Sequence, residues 1–386
     1  MDSFIDIAAE SLNKLGEELC GDKTEFFRTN DGIIAVLSDG LGSGVKANIL
    51  ATLTSKIAIT MLKEGLEIEE VVDTITNTLP ICNLRKLAYS TFSIVKIFNN
   101  RQAYIVQFDN PNIFFIRNGR VIDLQSKIIE INNRKVKESI VSLKENDTLV
   151  LVSDGVIHAG VGKVLNLGWQ WAHVAEYLEK VLQNNNSAKA ITNSLLGACA
   201  DLYLNEPGDD TTVMTIKLRK AEHVTLFSGP PENRAKDNMV VKEFINNEGM
   251  KIICGGTAAN IVSRETGKQL VTNFEIYDKK IPPTASLDGI NLVTEGVLTL
   301  NAAVEKLKAV KNYNDLSFLH KKDGASRLAK IIAENCTHLK MIVGKATNPV
   351  HQNPNFPREL SIKLKVLEEL KKAAEEIGKI VTIEYC

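Results

Sequence analysis

The chain has 386 residues, 44% of them hydrophobic and 24% charged, with a formal net charge of −1. That length accommodates two domains at roughly 100–200 residues each, and the composition is that of a chain able to bury a full core. So even a balance gives no electrostatic reason to expect nucleic acid or an anionic membrane surface as a partner. No apolar run approaches the ~18 residues of a spanning helix, and no secretory leader pattern is present. The six cysteines are scattered without a CxxC pair, so reduced thiols and a cytoplasmic setting are expected.

Residues 2–30 hold a weak first strand and the element Cys20-Gly21-Asp22. Ile33–Leu37 then reads as a short buried strand that stops at Ser38-Asp39-Gly40. Gly40, Gly42 and Gly44 let the main chain take positive φ and pass close to whatever the carboxylate holds. From Val45 the pattern turns helical. Val45–Gly65 and Ile68–Leu79 are expected helices with apolar faces that pack on a sheet. Thr91–Phe98 and Gln102–Phe108 are strands about the turn-prone Asn99-Asn100. Ile113–Arg117 and Val121–Leu124 flank Asn118-Gly119, a strong hairpin signal. Ile140–Leu143 and Thr148–Ser153 follow, then helices at Trp169–Gln183 and Ala188–Tyr203, then a closing strand at Val213–Leu218.

The strand-end acid recurs. Leu149–Val152 leads into Ser153-Asp154-Gly155, and Gly208-Asp209-Asp210-Thr211-Thr212 precedes the closing strand. One Asp-Gly turn is ordinary. Three acidic clusters at strand ends, two of them sharing Ser-Asp-Gly-aliphatic, point to convergence on one site. Carboxylates gathered without partners repel, so a cation must compensate them. An all-oxygen site suits Mg²⁺ or Mn²⁺; no Cys or His is interleaved at zinc-ligand spacing.

These three motifs resemble the metal-binding motifs of PP2C-type serine/threonine protein phosphatases, and most of all the branch of the bacterial sporulation stage II protein E (SpoIIE). Cys20-Gly21-Asp22 resembles that branch's early Gly-Asp element, and Ser90–Ile97 its strand with a small-residue start. Asp109-Asn110-Pro111 resembles a hairpin where family members show small residues before the proline, so Asp109 and Asn110 depart from the pattern. The resemblance runs from about Asp2 to Leu218. It implies an α-β-β-α sandwich of two antiparallel sheets flanked by helices, and a phosphoprotein substrate such as an anti-sigma-factor antagonist. It also implies two Mn²⁺ or Mg²⁺ ions. Asp39 would bridge them, the Gly40 carbonyl would ligate one, and Asp154 and Asp209 would complete the other. Asp22 and Asp210 are assigned to the surrounding shell. In that family the helices flanking the site move as activity is regulated, and small hinge residues make such motion cheap.

A domain boundary falls near Arg219–His223, giving 1–220 and 221–386. Beyond it, strands at Val224–Phe227, Lys251–Cys254, Ile290–Val293, Met341–Val343 and Val381–Tyr385 alternate with helices at Asp237–Asn247, Leu298–Val310, Gly324–Asn335 and Ser361–Ile377. That order predicts an α/β domain with a mostly parallel sheet, regulatory or ligand-sensing in role. Gly255-Gly256-Thr257 reads more simply as a tight turn with Thr257 capping a helix than as an anion site. Asn348–Pro357, with three prolines, reads as a recognition or homodimer surface. Two other readings remain open: a small-molecule phosphohydrolase using the same acids, and a non-catalytic signalling scaffold. Retention of Asp39, Asp154 and Asp209 together disfavours the scaffold.

Overall fold

In the computed structural model the chain forms two compact units, Ser3–Lys220 and Ala221–Cys386. The structure describes residues 3–29, 31–78, 90–131, 134–184, 187–273, 275, 277–312, 317–346 and 358–386.

The first unit runs β1 (Ser3–Leu12), β2 (Asp22–Thr29), β3 (Gly32–Gly40), α1 (Gly44–Lys63), α2 (Ile68–Thr78), β4 (Ser90–Phe98), β5 (Gln102–Phe108), β6 (Phe114–Arg117), β7 (Arg120–Ile122), β8 (Lys127–Ile131), β9 (Arg134–Ser142), β10 (Thr148–Val152), α3 (Asp154–Ile157), α4 (Trp171–Asn184), α5 (Ala188–Leu202) and β11 (Thr211–Lys220). The strands form two antiparallel sheets, ordered β1-β11-β10-β6-β7 and β2-β3-β4-β5-β9-β8.

Alternation along the strands builds the layers, because successive side chains point to opposite faces. Ile33, Ala35 and Leu37 join Leu149, Leu151, Met214 and Ile216 in a core shared by both sheets. Ile34 and Val36 point the other way, onto Leu50, Ala58 and Leu62 of α1 and Val71 and Ile75 of α2. On the second sheet Val150, Val152 and Val213 pack under Val174 and Leu178 of α4 and Leu195 and Cys199 of α5. The result is the expected α-β-β-α sandwich. By length and composition alone α1 is apolar enough to cross a membrane. Here its Leu50, Ala51, Ala58 and Leu62 are buried, while Val45, Ile49 and Leu53 form an exposed stripe.

Two departures have physical causes. Asp22 opens a full strand paired along β3, although its alternation is mostly of half-buried and polar residues. The hairpin β8–β9 reads Lys-Ile-Ile-Glu-Ile and Arg-Lys-Val-Lys-Glu-Ser. β8 lies at a sheet edge and is largely exposed, so charge interrupts the apolar signal.

The second unit comprises β12 (His223–Ser228), α6 (Asp237–Asn246), β13 (Met250–Cys254), α7 (Gly256–Thr266), β14 (Val271–Thr272), β15 (Ala285–Ser286), β16 (Leu292–Thr294), α8 (Val297–Asn312), α9 (Gly324–Glu334), β17 (His338–Val343), α10 (Arg358–Glu376) and β18 (Ile380–Tyr385). Its sheet is ordered β14-β15-β16-β13-β12-β17-β18. The last five are parallel neighbours, as predicted. β14 and β15 add an antiparallel edge; at two residues each they leave no readable pattern. Thr257 does not cap α7. Gly255, at φ 119, takes the cap position, and its N–H donates to the Thr294 carbonyl at 2.8 Å. The loop Asn348–Pro357 lies outside the described residues.

Candidate metal centre

Three strand ends meet where the core between the sheets runs out. In the β2–β3 ladder Asp22 stands directly opposite Asp39. Asp39 shares parity with Ile33, Ala35 and Leu37, so it continues the inward face of β3 past its last apolar residue. Asp154 begins α3, one residue after the buried Ser153 that follows β10. Asp210 shares parity with Met214 and Ile216 of β11, and that places it on the inward face too. Asp22 and Asp210 are only 4% and 5% exposed.

Glycines are required where backbones crowd. A Cβ on Gly40 would fall 2.0 Å from the Ala47 carbonyl oxygen, and one on Gly155 would fall 2.2 Å from that of Asp210. A Cβ on Gly21 would come 2.8 Å from Asp210 Oδ2. The surrounding hydrogen bonds lock this arrangement. Ser90 Oγ donates to the Asp39 carbonyl at 2.9 Å, Tyr203 Oη to the Gly155 carbonyl at 2.8 Å, and Thr212 N to Ser153 Oγ at 2.8 Å.

The electrostatics single out Asp39. Burial, then repulsion from Asp22, Asp154, Asp209 and Asp210, pushes its pKa up to about 9. Asp22 is pushed up to about 7, first by burial and then by Asp210 and Asp154, against hydroxyl contacts from Ser153 and Thr212. Those hydroxyls ease its charge without closing a hydrogen bond on Oδ2, which is buried and unpartnered. Asp154 is raised by burial and by Asp209, and lowered by His158 and the Gly155 N–H. Asp210 accepts from the Lys14 N–H at 3.0 Å through Oδ1, while its Oδ2 is also buried and unpartnered. Asp209 is the outlying acid: its side chain is 45% exposed and 3.8 Å from the Lys14 ammonium.

Among the described residues, no three Asp, Glu, His or Cys side chains converge closely enough to chelate one ion in this geometry. The donor set nevertheless fits a hard cation. It is all oxygen, it is mutually repulsive, and two of its buried oxygens lack any partner.

Residues 29–219 match the family described as stage II sporulation protein E. The first unit belongs to the SpoIIE family. No curated protein matches the chain. Similar solved structures include the SpoIIE phosphatase domain of Bacillus subtilis, at 19% identity over 56% of this chain and 93% of that one, with a TM-score of 0.42. RsbX in complex with magnesium is 20% identical over 55% of this chain and 95% of that one, with a TM-score of 0.42. The SiaA PP2C domain of Pseudomonas aeruginosa is 18% identical over 54% of this chain and 85% of that one, with a TM-score of 0.44.

Within this SpoIIE-family unit, sequence reasoning missed two residues. Lys14, in the segment between β1 and β2, touches both Asp209 and Asp210. His158 ends the short α3 beside Asp154. Neither belongs to a motif: Lys14 reaches the acids only through the three-dimensional return of its segment, whereas His158 lies one helical turn after Asp154, a spacing the sequence already carried. Cys20 is the thiol beside the acids. Burial and the neighbouring Asp22 raise its pKa to about 12, so it stays protonated and is no nucleophile.

Proposed function

We propose that the SpoIIE-family unit is a metal-dependent PP2C-type phosphatase that hydrolyses phosphoserine or phosphothreonine on a partner protein in a signalling pathway. One observation carries this reading: Asp39 feels the charge of four other carboxylates, each at or beside a strand end. Such a group is stable at neutral pH only if protonated or matched by cations.

Asp39, with the Gly40 carbonyl, Asp154 and Asp209, would hold two Mn²⁺ or Mg²⁺ ions. Asp22 and Asp210, with their unpartnered oxygens, would orient the set or join it. Bound there, the ions supply Lewis acidity toward phosphate and an acidified water. The chain's own residues do the rest. Ser153, Thr212 and Tyr203 fix the backbone that carries Asp154 and Asp210, which sets ligand direction. The Lys14 ammonium, beside Asp209 at the outer end of the cluster, draws the dianionic phosphate toward the acids. His158, close enough to Asp154 to lower its pKa, is the imidazole that would pass a proton to the departing serine or threonine oxygen.

The test is hydrolysis of a phosphoserine peptide and of p-nitrophenyl phosphate, with and without MnCl₂, on wild type and on Asp39→Asn and Asp154→Asn. Manganese-dependent turnover lost in both variants is expected. Undiminished turnover in either variant sinks the assignment.

A further inference from the structure

The second unit carries a cavity of about 680 Å³, within the ~300–1,000 Å³ range of small-molecule sites. Strand register fixes where it lies. β15 runs antiparallel to β16 with Ala285 opposite Val293, and Thr272 of β14 stands opposite Ala285. Thr272 and Thr284, both lining the cavity, are therefore level with the carboxyl end of β16. The first residue of α9 sits on that same end: a Cβ on Gly324 would come 3.1 Å from Thr284 Cγ2 and 3.3 Å from Thr294 Cγ2. Open α/β sheets bind their ligands beyond the carboxyl ends of the parallel strands.

The charge of the lining is lopsided. Lys321, Lys322, Arg327 and Lys330 face a single lining carboxylate, Glu275, in a chain whose formal net charge is −1. Glu275 is already engaged, accepting the Tyr277 hydroxyl. Lys330 is shared at the rim, 3.9 Å from Glu334 and 3.0 Å from His320 Nδ1. Lys322 lies 5.9 Å from the centre of the Tyr277 ring. Among the described residues neither Lys321 nor Arg327 is paired with a carboxylate. Both are exposed, so they stay hydrated until an anion arrives. Four cations on the walls of one concavity suit a ligand with two or three negative charges. Arginine's planar fork matches phosphate in particular. Tyr277 offers the lining a ring face for a planar group. Gly255-Gly256-Thr257, the turn that the sequence marks as an anion candidate, is not among the lining residues.

We propose that this cavity binds a phosphorylated small molecule of about nucleotide size, with its phosphates held by Lys321, Lys322, Arg327 and Lys330. The cavity's volume matches a molecule of that size, and an acidic protein segment is the competing occupant that the test separates.

Isothermal titration of the full chain tests this in EDTA, so that the acidic centre of the first unit repels the probes. The probes are ADP, pyrophosphate, adenosine and a hexaglutamate peptide. Saturable binding of ADP and pyrophosphate is expected, weakening as salt is raised. Affinity should fall about tenfold in Arg327→Ala and in Lys321→Ala, as when a charge-assisted contact is lost. Both positions are exposed, and circular dichroism would confirm that the variants are folded. Three results overturn the proposal: no saturable binding of either phosphate probe at millimolar concentration, unchanged affinity in both variants, or adenosine binding as tightly as ADP. Hexaglutamate binding more tightly than pyrophosphate would overturn it as well, in favour of an acidic protein partner.

Discussion

The acids of the first unit and the cations of the second differ most in burial. Asp22 and Asp210 are 4% and 5% exposed, one opening β2 and the other just before β11. Lys321, Lys322 and Arg327 are exposed on a turn and a helix face. Removing a charge from water costs several kcal/mol unless it is compensated, whereas an exposed cation keeps its hydration. The acidic centre thus carries a standing electrostatic strain that a bound divalent ion would relieve. The basic cavity carries none, and its ligand can come and go without consequence for the fold.

The largest effect should follow from removing the central acid. Asp39→Asn should lower manganese-dependent kcat by about a thousandfold, because several kcal/mol of charge stabilisation depend on the ions that Asp39 would hold. The same substitution should raise the melting temperature of the metal-free protein by a few degrees, since it removes a buried acid repelled by four others. Calorimetry in EDTA checks this second half. A variant that is both inactive and less stable in EDTA would mean that Asp39 is a packing residue and not a strained ligand.

The pH dependence follows with its sign. Asp39 and Asp22 are raised to about 9 and about 7 in the folded state, above the ~3.9 of an unfolded chain. Between pH 4 and 9 the folded protein therefore binds more protons than the unfolded one, and stability falls as pH rises. Metal-free protein should lose melting temperature from pH 5 to pH 9, and saturating Mn²⁺ should flatten that slope. A flat slope without metal would contradict the burial argument for both acids.

The contrast in burial also explains what the sequence reveals. Asp39 and Asp154 are legible because each ends an apolar run and is followed by a glycine whose Cβ would strike a neighbouring carbonyl. Burial leaves its signature in the letters next to the acid. The sandwich was legible for the same reason: β3, β4, β10 and β11 are nearly continuous buried runs. The depth of Asp210 relative to Asp209 was not, since adjacent acids look alike until strand parity is known. Nor was Lys14, which reaches the acids only through the fold. The basic cavity was invisible for the complementary reason. Its residues are spread from Thr272 to Lys330 over a hairpin, a turn and a helix, and exposed lysines ordinarily mark nothing more than a solvated face.

Lys14 lies between the two cases. Its side chain is 37% exposed and 3.8 Å from Asp209, so its ion pair contributes only about 0–1 kcal/mol to stability. A role in drawing in phosphate predicts that Lys14→Ala raises KM for a phosphopeptide about fivefold, with kcat changed less, because a contact made equally in ground and transition states is lost. If kcat falls instead and KM holds, Lys14 acts by setting the position of Asp209 or Asp210. Rescue by Lys14→Arg would support the charge.

The smallest effect is the sharpest test of the comparison itself. If the cavity's cations are hydrated and unstrained, Arg327→Ala and Lys321→Ala should each change unfolding stability by less than ~0.5 kcal/mol, the usual range for surface positions away from special features. Asp210→Asn in EDTA should instead stabilise measurably, because Oδ2 is buried and without a partner and a neutral amide there no longer repels Asp22. Denaturant titration of the three variants in one buffer decides it. Should the cavity variants gain as much as Asp210→Asn, the cations repel one another as the acids do. The second site would then be held under strain like the first, filled as a condition of stability instead of on demand.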